Sequence, residues 1–130
     1  MSALEVTVPE ACPCGRGASY TGCCGPLHEG QRAASTAEEL MRSRYAAYVV
    51  GDTSYLLRTW HPRTRPAELD PGRFVGWLDL TVLATADGRY DDRFGEVEFR
   101  ATHGDGVLHE RSRFVRRAGR WVYVDGDLLD

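Results

Sequence analysis

Two hydrophobic periods divide the chain. Over 36–50, Ala37, Met41, Tyr45, Tyr48 and Val49 recur at helical spacing and predict a helix. Ser35 or Thr36 caps it, Glu38 or Glu39 completes a capping box, and Gly51 supplies the stop. Asp52 or Thr53 opens a shorter helix to about Trp60 that carries Tyr55, Leu56 and Leu57, and His61-Pro62 ends it. Residues 61–72, rich in proline and glycine, read as a loop or a broken short helix.

From about Trp77 the period changes to strand-like runs at 76–86, 93–103, 107–117 and 120–126. Asp87-Gly88, Gly104-Asp105-Gly106 and Ala118-Gly119 mark the turns. In the second run Val97, Phe99 and Ala101 alternate with Glu96, Glu98 and Arg100, the pattern of a sheet with one dry and one wet face. In the third, Leu108, Glu110, Ser112 and Phe114 share one face and His109, Arg111 and Arg113 the other. Helices first and then an antiparallel meander give an α+β fold, with helices packed on one face of a curved antiparallel sheet.

The first thirty residues follow neither period. They hold all four cysteines of the chain, in the stretch CPCGRGASYTGCC: Cys12, Cys14, Cys23 and Cys24. A disulfide framework is disfavoured, because no export signal is visible and cytoplasmic thiols stay reduced. Adjacent Cys23 and Cys24 would also need a strained ring. A redox pair lacks its C-x-x-C spacing. Four soft thiolates in two close pairs suit one tetrahedral, structural Zn²⁺. Pro13 stiffens the first pair, and Gly15, Gly17 and Gly22 permit tight turns at positive φ. His28 is the alternative fourth ligand in place of Cys24. Apart from Tyr20 the loop is poor in apolar residues, so its order depends on the metal.

CPCGRGASYTGCCG resembles the SEC-C motif, the small zinc knuckle best known from the tail of the preprotein translocase ATPase SecA. The motif is C-x-C, eight residues, then C followed by Cys or His. It usually carries Ser and a pair of Lys where this chain has Arg16, Ala18 and Ser19. GPLHEG, AEELMRSRYAAYVVGDTSYLLRTWHPRTRP and LHERSRFVRRAGRWVYVDG extend the likeness to the YchJ-like family of small bacterial proteins. That resemblance implies a SEC-C knuckle followed by a nuclear-transport-factor-2-like (NTF2-like) cone. Such cones often enclose a pocket, used by some relatives for catalysis and by others for binding. The expected organisation is a flexible N-terminus at 1–11, the knuckle at 12–30 and the cone domain at 31–130.

Composition narrows the function. The chain contains no Lys, Asn or Ile, and its 16 basic residues are all Arg, as expected of a high-GC genome. Abundant arginine is therefore no sign of nucleic acid. The net charge of −3 also disfavours a general nucleic-acid binder. Six Arg against three acids over 41–73 leave an RNA- or ribosome-associated reading as a minor alternative. MSALEVTVPEA has neither a basic segment nor a long apolar run, and no stretch is long enough to cross a membrane, so a cytoplasmic protein is expected.

No phosphate loop, nucleophile elbow or dinucleotide fingerprint is present, and no catalytic residue is assigned. Candidate pocket residues are Arg44, Trp60, His61, Glu110 and Arg113, with Asp125 in a neighbouring strand. A Glu110–Arg pair has two readings, a structural clip or part of a proton-moving site with His61. Trp60, Trp77 and Trp121 read as core. The sequence thus points to a non-enzymatic zinc protein whose knuckle recognises a protein partner. A small-molecule site or enzyme in the cone is the alternative. On the first reading, Cys23→Ser loses zinc yet leaves the cone folded.

Overall fold

The computed structural model describes residues 9–69 and 76–130. Positions 1–8 of the N-terminal tail and 70–75, the end of the 61–72 loop and the approach to the first strand, lie outside the described residues. A 3₁₀ turn at Tyr20–Gly22 leads into α1 (Cys24–His28), followed by α2 (Ala37–Val50) and α3 (Thr53–Arg58). Four strands complete the chain: β1 (Trp77–Asp87), β2 (Phe94–His103), β3 (Gly106–Arg117) and β4 (Arg120–Leu128). They form one antiparallel meander in the order β1-β2-β3-β4, so the fold is α+β as expected.

The α2 boundaries follow from local chemistry. The Thr36 hydroxyl accepts the N–H of Glu39 at 3.0 Å, and the Glu39 carboxylate accepts the N–H of Ser35 at 2.7 Å. Gly51 closes the helix at φ 84, a left-handed cap that costs glycine little. Asp52 caps α3 by accepting the N–H of Tyr55 at 3.0 Å.

Ala37, Met41 and Tyr45 of the expected stripe are buried, but α2 buries more than that stripe. Val49 is exposed, whereas Leu40, Ser43, Ala46 and Ala47 are buried. The helix is enclosed on three sides. Leu40, Met41 and Tyr45 meet the sheet, Ala46 meets the cysteine cluster, and Ala47 meets Leu27, Tyr55 and Leu56. Small residues at 43, 46 and 47 let those elements approach closely. A helix covered on three sides buries more than one apolar stripe, so spacing alone found Ala37, Met41 and Tyr45 but not the faces that close on the knuckle and α3.

On the sheet, Val97, Phe99, Ala101 and Phe114 point inward and are buried. Register places Phe99 opposite both Val82 and Glu110, and Val97 opposite Ser112. Register shifts at Trp77/Asp79, Val82/Ala84 and Arg113/Phe114 curl the sheet around α2. At the N-terminus of α2 the helix rests on the β1–β2 hairpin, and Ala37 donates its N–H to Gly88 O at 2.9 Å. A Cβ on Gly95 would lie 2.4 Å from Gly88 Cα and 2.9 Å from Ala37 Cβ, so this contact requires glycine.

Candidate metal centre and cone cavity

The knuckle folds its four cysteines into one cluster. The Sγ atoms of Cys12, Cys14, Cys23 and Cys24 all lie within 4.8 Å of one another, and all four residues are buried. A tetrahedral ion with ~2.3 Å metal–sulfur bonds spaces its sulfurs about 3.8 Å apart, so the set fits one ion. The Cys14–Cys23 separation is 3.6 Å. Gly15 and Gly17, each at φ 84, turn the loop; Gly22 does not adopt positive φ and sits in the 3₁₀ turn instead. The main-chain N–H groups of Cys14 and Cys24 hydrogen bond to the Cys12 sulfur, and that of Arg16 to the Cys14 sulfur.

These thiols titrate against each other. Hydrogen bonds from the Cys14 and Cys24 thiols hold Cys12 down at about 2. The contact with Cys12 in turn pushes Cys14 up to about 12, and contacts with Cys12 and Cys14 push Cys24 up. Four thiolates in so small a buried volume need a cation to coexist, which is the chemistry of a closed, structural metal site. His28 does not belong to the donor set. Its Nε2–H donates to Ser43 O at 2.8 Å, and its Nδ1 accepts from the Tyr20 hydroxyl at 2.6 Å. Both ring nitrogens are engaged, and burial pulls the imidazole below its ordinary 6.5, favouring the neutral form.

Further contacts bind the knuckle to the helices. Arg42 donates to Cys14 O at 2.6 Å and Arg32 to Cys23 O at 3.3 Å. Arg58 donates to His28 O at 2.6 Å while stacking on Tyr55. Of the arginines of 41–73, Arg42 and Arg58 thus fasten the knuckle, Arg44 is buried, Arg63 and Arg65 are exposed, and Arg73 lies outside the described residues.

Between α2 and the concave sheet lies a cavity of about 170 Å³. Met41, Tyr45, Phe99, Leu108 and Phe114 provide much of its apolar wall. Arg44, Tyr48, Trp60, Trp77, Glu110 and Tyr123 provide its polar groups. Arg44 is 4% exposed. Its Nη1 donates to Leu56 O and to Thr59 Oγ1, each at 2.8 Å. Its guanidinium lies 4.9 Å from the Trp60 ring centre and 4.8 Å from that of Tyr123, in cation–π contact with both. Burial lowers its basicity, though a guanidinium stays protonated.

Glu110 sits across the Tyr123 ring. The hydroxyls of Tyr123 and Ser112 both donate to its Oε2 at 3.0 Å. Gly126 makes the room, since a Cβ there would lie 2.0 Å from that oxygen. The expected Glu110–Arg pair does not form among the described residues. Strand alternation turns Glu110 inward and Arg113 outward, where Arg113 pairs with Asp125 at 2.6 Å and Asp127 at 2.8 Å. His61 also stays out of the cavity. Its main chain pairs with Tyr123 O at 2.7 Å, and its Nδ1 accepts from the Arg63 N–H at 3.0 Å. The structure therefore gathers Arg44, Trp60 and Glu110 and leaves His61 and Arg113 elsewhere.

Of the three tryptophans, Trp121 is core and its indole donates to Ser35 O at 3.1 Å. Trp77 packs against the core and, like Trp60, also lines the cavity; the indole N–H groups of both are buried with no partner among the described residues. Tyr123, Ser112 and Gly126 were missed as site residues. Their signal was alternation alone, Ser112 between Glu110 and Phe114 and Tyr123 two places after Trp121.

A family model described as the YchJ middle NTF2-like domain matches residues 36–126. A UPF0225 protein of Streptomyces coelicolor is 60% identical over 119 residues, covering 92% of this chain and 96% of its own length. A UPF0225 protein of Deinococcus radiodurans is 52% identical over 119 residues, covering 88% of this chain and 86% of its own. The solution structure of a SEC-C motif containing protein from Rhodopseudomonas palustris matches with a TM-score of 0.75 at 38% identity, over 92% of this chain and 98% of that one. The crystal structure of a SEC-C motif containing protein from Psychrobacter arcticus matches with a TM-score of 0.74 at 28% identity, over 95% of this chain and 85% of that one.

Proposed function

We propose, from the premise that the chain belongs to the YchJ-like UPF0225 family, that it is a zinc-stapled small-ligand-binding protein. In this reading the knuckle braces the helical layer and the cone cavity is the functional site. The observation that carries it is Arg44, a buried cation in the cavity wall with no carboxylate partner among the described residues. A charge is costly to bury without a counter-charge, and a guanidinium there is hard to explain by stability alone. Zinc is the ion best suited to four thiolates, and a reducing cytoplasm is where they stay available.

The test is a ligand-observed NMR screen of monocyclic fragments against the zinc-loaded protein and its Ala101→Leu variant. Ala101 is buried and lines the cavity, so the larger side chain fills it. Binding to the wild type that disappears in the variant supports the cavity. Fragments that bind both proteins equally place the site elsewhere and overturn this reading.

A second reading, protein recognition by the knuckle, is favoured by one observation. The knuckle rim at residues 15–19 is exposed and presents Arg16, while the cysteines behind it are buried. Comparing co-purifying proteins for the wild type and an Arg16→Glu variant tests it. Partners that vanish with the charge reversal support recognition, and unchanged lists remove it.

A further inference from the structure

We infer that the cone cavity is built for a small carboxylic acid with an apolar body no larger than one ring and a hydrogen-bond donor at its far end. This rests on the reading of the cavity as a ligand site and adds the ligand's chemistry.

Size sets the first limit. A cavity of about 170 Å³ is close to the ~150 Å³ that holds one benzene molecule. Its walls explain the apolar body, since Met41, Phe99, Leu108 and Phe114 offer no polar atom to a guest.

Polarity sets the second. Among the cavity-lining residues, two indole donors and one carboxylate oxygen are unsatisfied within the described residues. Both indole N–H groups, of Trp60 and Trp77, are buried without partners. Arg44 brings a full positive charge beside them, with its Nη1 on Leu56 O and Thr59 Oγ1 and a further side-chain hydrogen bond to Tyr48. A guest that satisfies such a wall must be an acceptor, and an anion gains most there. The sole carboxylate of the described lining, Glu110, has its Oε2 occupied by the Ser112 and Tyr123 hydroxyls. Its Oε1 has no hydrogen-bond partner among the described residues and suits a donor on the guest. Glu110 also discriminates between anions. A phosphate carries close to two charges at neutral pH and is repelled more strongly than a monocarboxylate.

The arrangement is held in place from behind. Tyr123 touches both charged residues, with its ring under Arg44 and its hydroxyl on Glu110, so the two stand at a fixed separation across one side chain. Gly126 keeps the Glu110 seat open.

The experiment is isothermal titration calorimetry of the zinc-loaded protein with four matched compounds: benzoate, 4-hydroxybenzoate, benzamide and 4-hydroxybenzyl alcohol. The expected result is at least tenfold tighter binding of the two acids than of the two neutral compounds. 4-Hydroxybenzoate should exceed benzoate, and Glu110→Gln should shrink that advantage while leaving the preference for acids. Ala101→Leu should abolish all binding. Neutral compounds that bind as well as the acids overturn the carboxylate assignment and leave the cavity reading standing. If all four bind equally to wild type and Ala101→Leu, the cavity reading fails too. Absence of binding to folded wild type at millimolar concentration also overturns the ligand class, and the wider fragment screen then decides the cavity separately.

Discussion

His28 reaches out of the knuckle to donate its Nε2–H to the main-chain oxygen of Ser43 in α2, 2.8 Å away. Ser43 is itself fully buried, with its hydroxyl shared between Leu40 O at 2.8 Å and the Tyr55 hydroxyl at 2.7 Å. One polar chain therefore runs from the cysteine loop through α2 to α3, beside an apolar contact between the cluster and Ala46. A knuckle joined in this way has no separate core to lose. Removing its metal, by chelation or by Cys23→Ser, should destabilise the whole domain, by about 4–5 kcal/mol. Chelator titration followed by far-ultraviolet dichroism and tryptophan fluorescence checks this. A single transition in both signals is expected. Loss of zinc with the sheet signal and melting temperature unchanged would instead show an independent module, as sequence alone suggested.

The β3–β4 turn carries a correctable strain. Ala118 has φ 53 and Gly119 φ 80, both in the left-handed region that a two-residue hairpin of this hand needs. Glycine is at ease there, but alanine is not, because its Cβ crowds the backbone. Ala118→Asn places a residue with a real preference for that region at an exposed position. Stability should rise by about 0.5–1 kcal/mol, read as an upward shift of the urea midpoint at constant slope. A lower midpoint would mean that the turn relaxes the strain by other means.

On the outer face of the sheet, His109 stands between two acceptors. Its Nδ1 is 3.0 Å from the main-chain oxygen of Asp130, and its Nε2 is 2.7 Å from Glu98 Oε2. Only the imidazolium donates to both, so these contacts raise its pKa above 6.5, the Asp130 oxygen first and Glu98 next. The sign follows from linkage. The folded state binds the proton more tightly, so this stabilisation is complete below pH 6.5 and is lost as pH rises through the higher folded value. His109→Gln should therefore lower the urea midpoint more at pH 6 than at pH 9. A difference that is constant or grows with pH would contradict the assignment.

The sequence carried most of the fold because its elements are local. Thr36 and Gly51 mark α2 within one residue, and the three glycine-bearing turns mark the meander. The cysteines were legible for the same reason, as their spacing along a short loop brings them together. The cavity was only partly legible. Arg44 and Glu110 stood out as polar residues amid apolar ones, and alternation put Glu110 inside. That Tyr123 and not an arginine would meet Glu110 depends on the Arg113/Phe114 register shift, which sets Phe114 opposite Tyr123. No periodicity encodes such a bulge. The three-sided burial of α2 was hidden likewise, because Ala46 and Ala47 look unremarkable until a knuckle and a third helix close on them.

Arg44 offers the sharpest separation of stability from function. Its guanidinium is 4% exposed, faces two aromatic rings and hydrogen bonds to Leu56 O, Thr59 Oγ1 and the Tyr48 side chain, yet meets no carboxylate among the described residues. Desolvating such a charge costs several kcal/mol, which the cation–π and hydrogen-bond contacts offset in part. Arg44→Met keeps most of the volume and an apolar, polarisable contact with the two rings while removing the charge. It leaves Leu56 O short of a donor, a loss of about 1–3 kcal/mol, against relief of the buried charge. The two effects are comparable, so the variant should unfold within about 1 kcal/mol of the wild type, or above it. Arg44→Lys should fare worse than Arg44→Met, because an ammonium keeps the charge but cannot stack flat between Trp60 and Tyr123. Urea denaturation of the two variants, both loaded with zinc, provides the measurement. That order would mark Arg44 as a residue kept for what it binds. A much greater loss for Met than for Lys would make the charge itself a structural necessity and weaken the case for the cavity as a binding site.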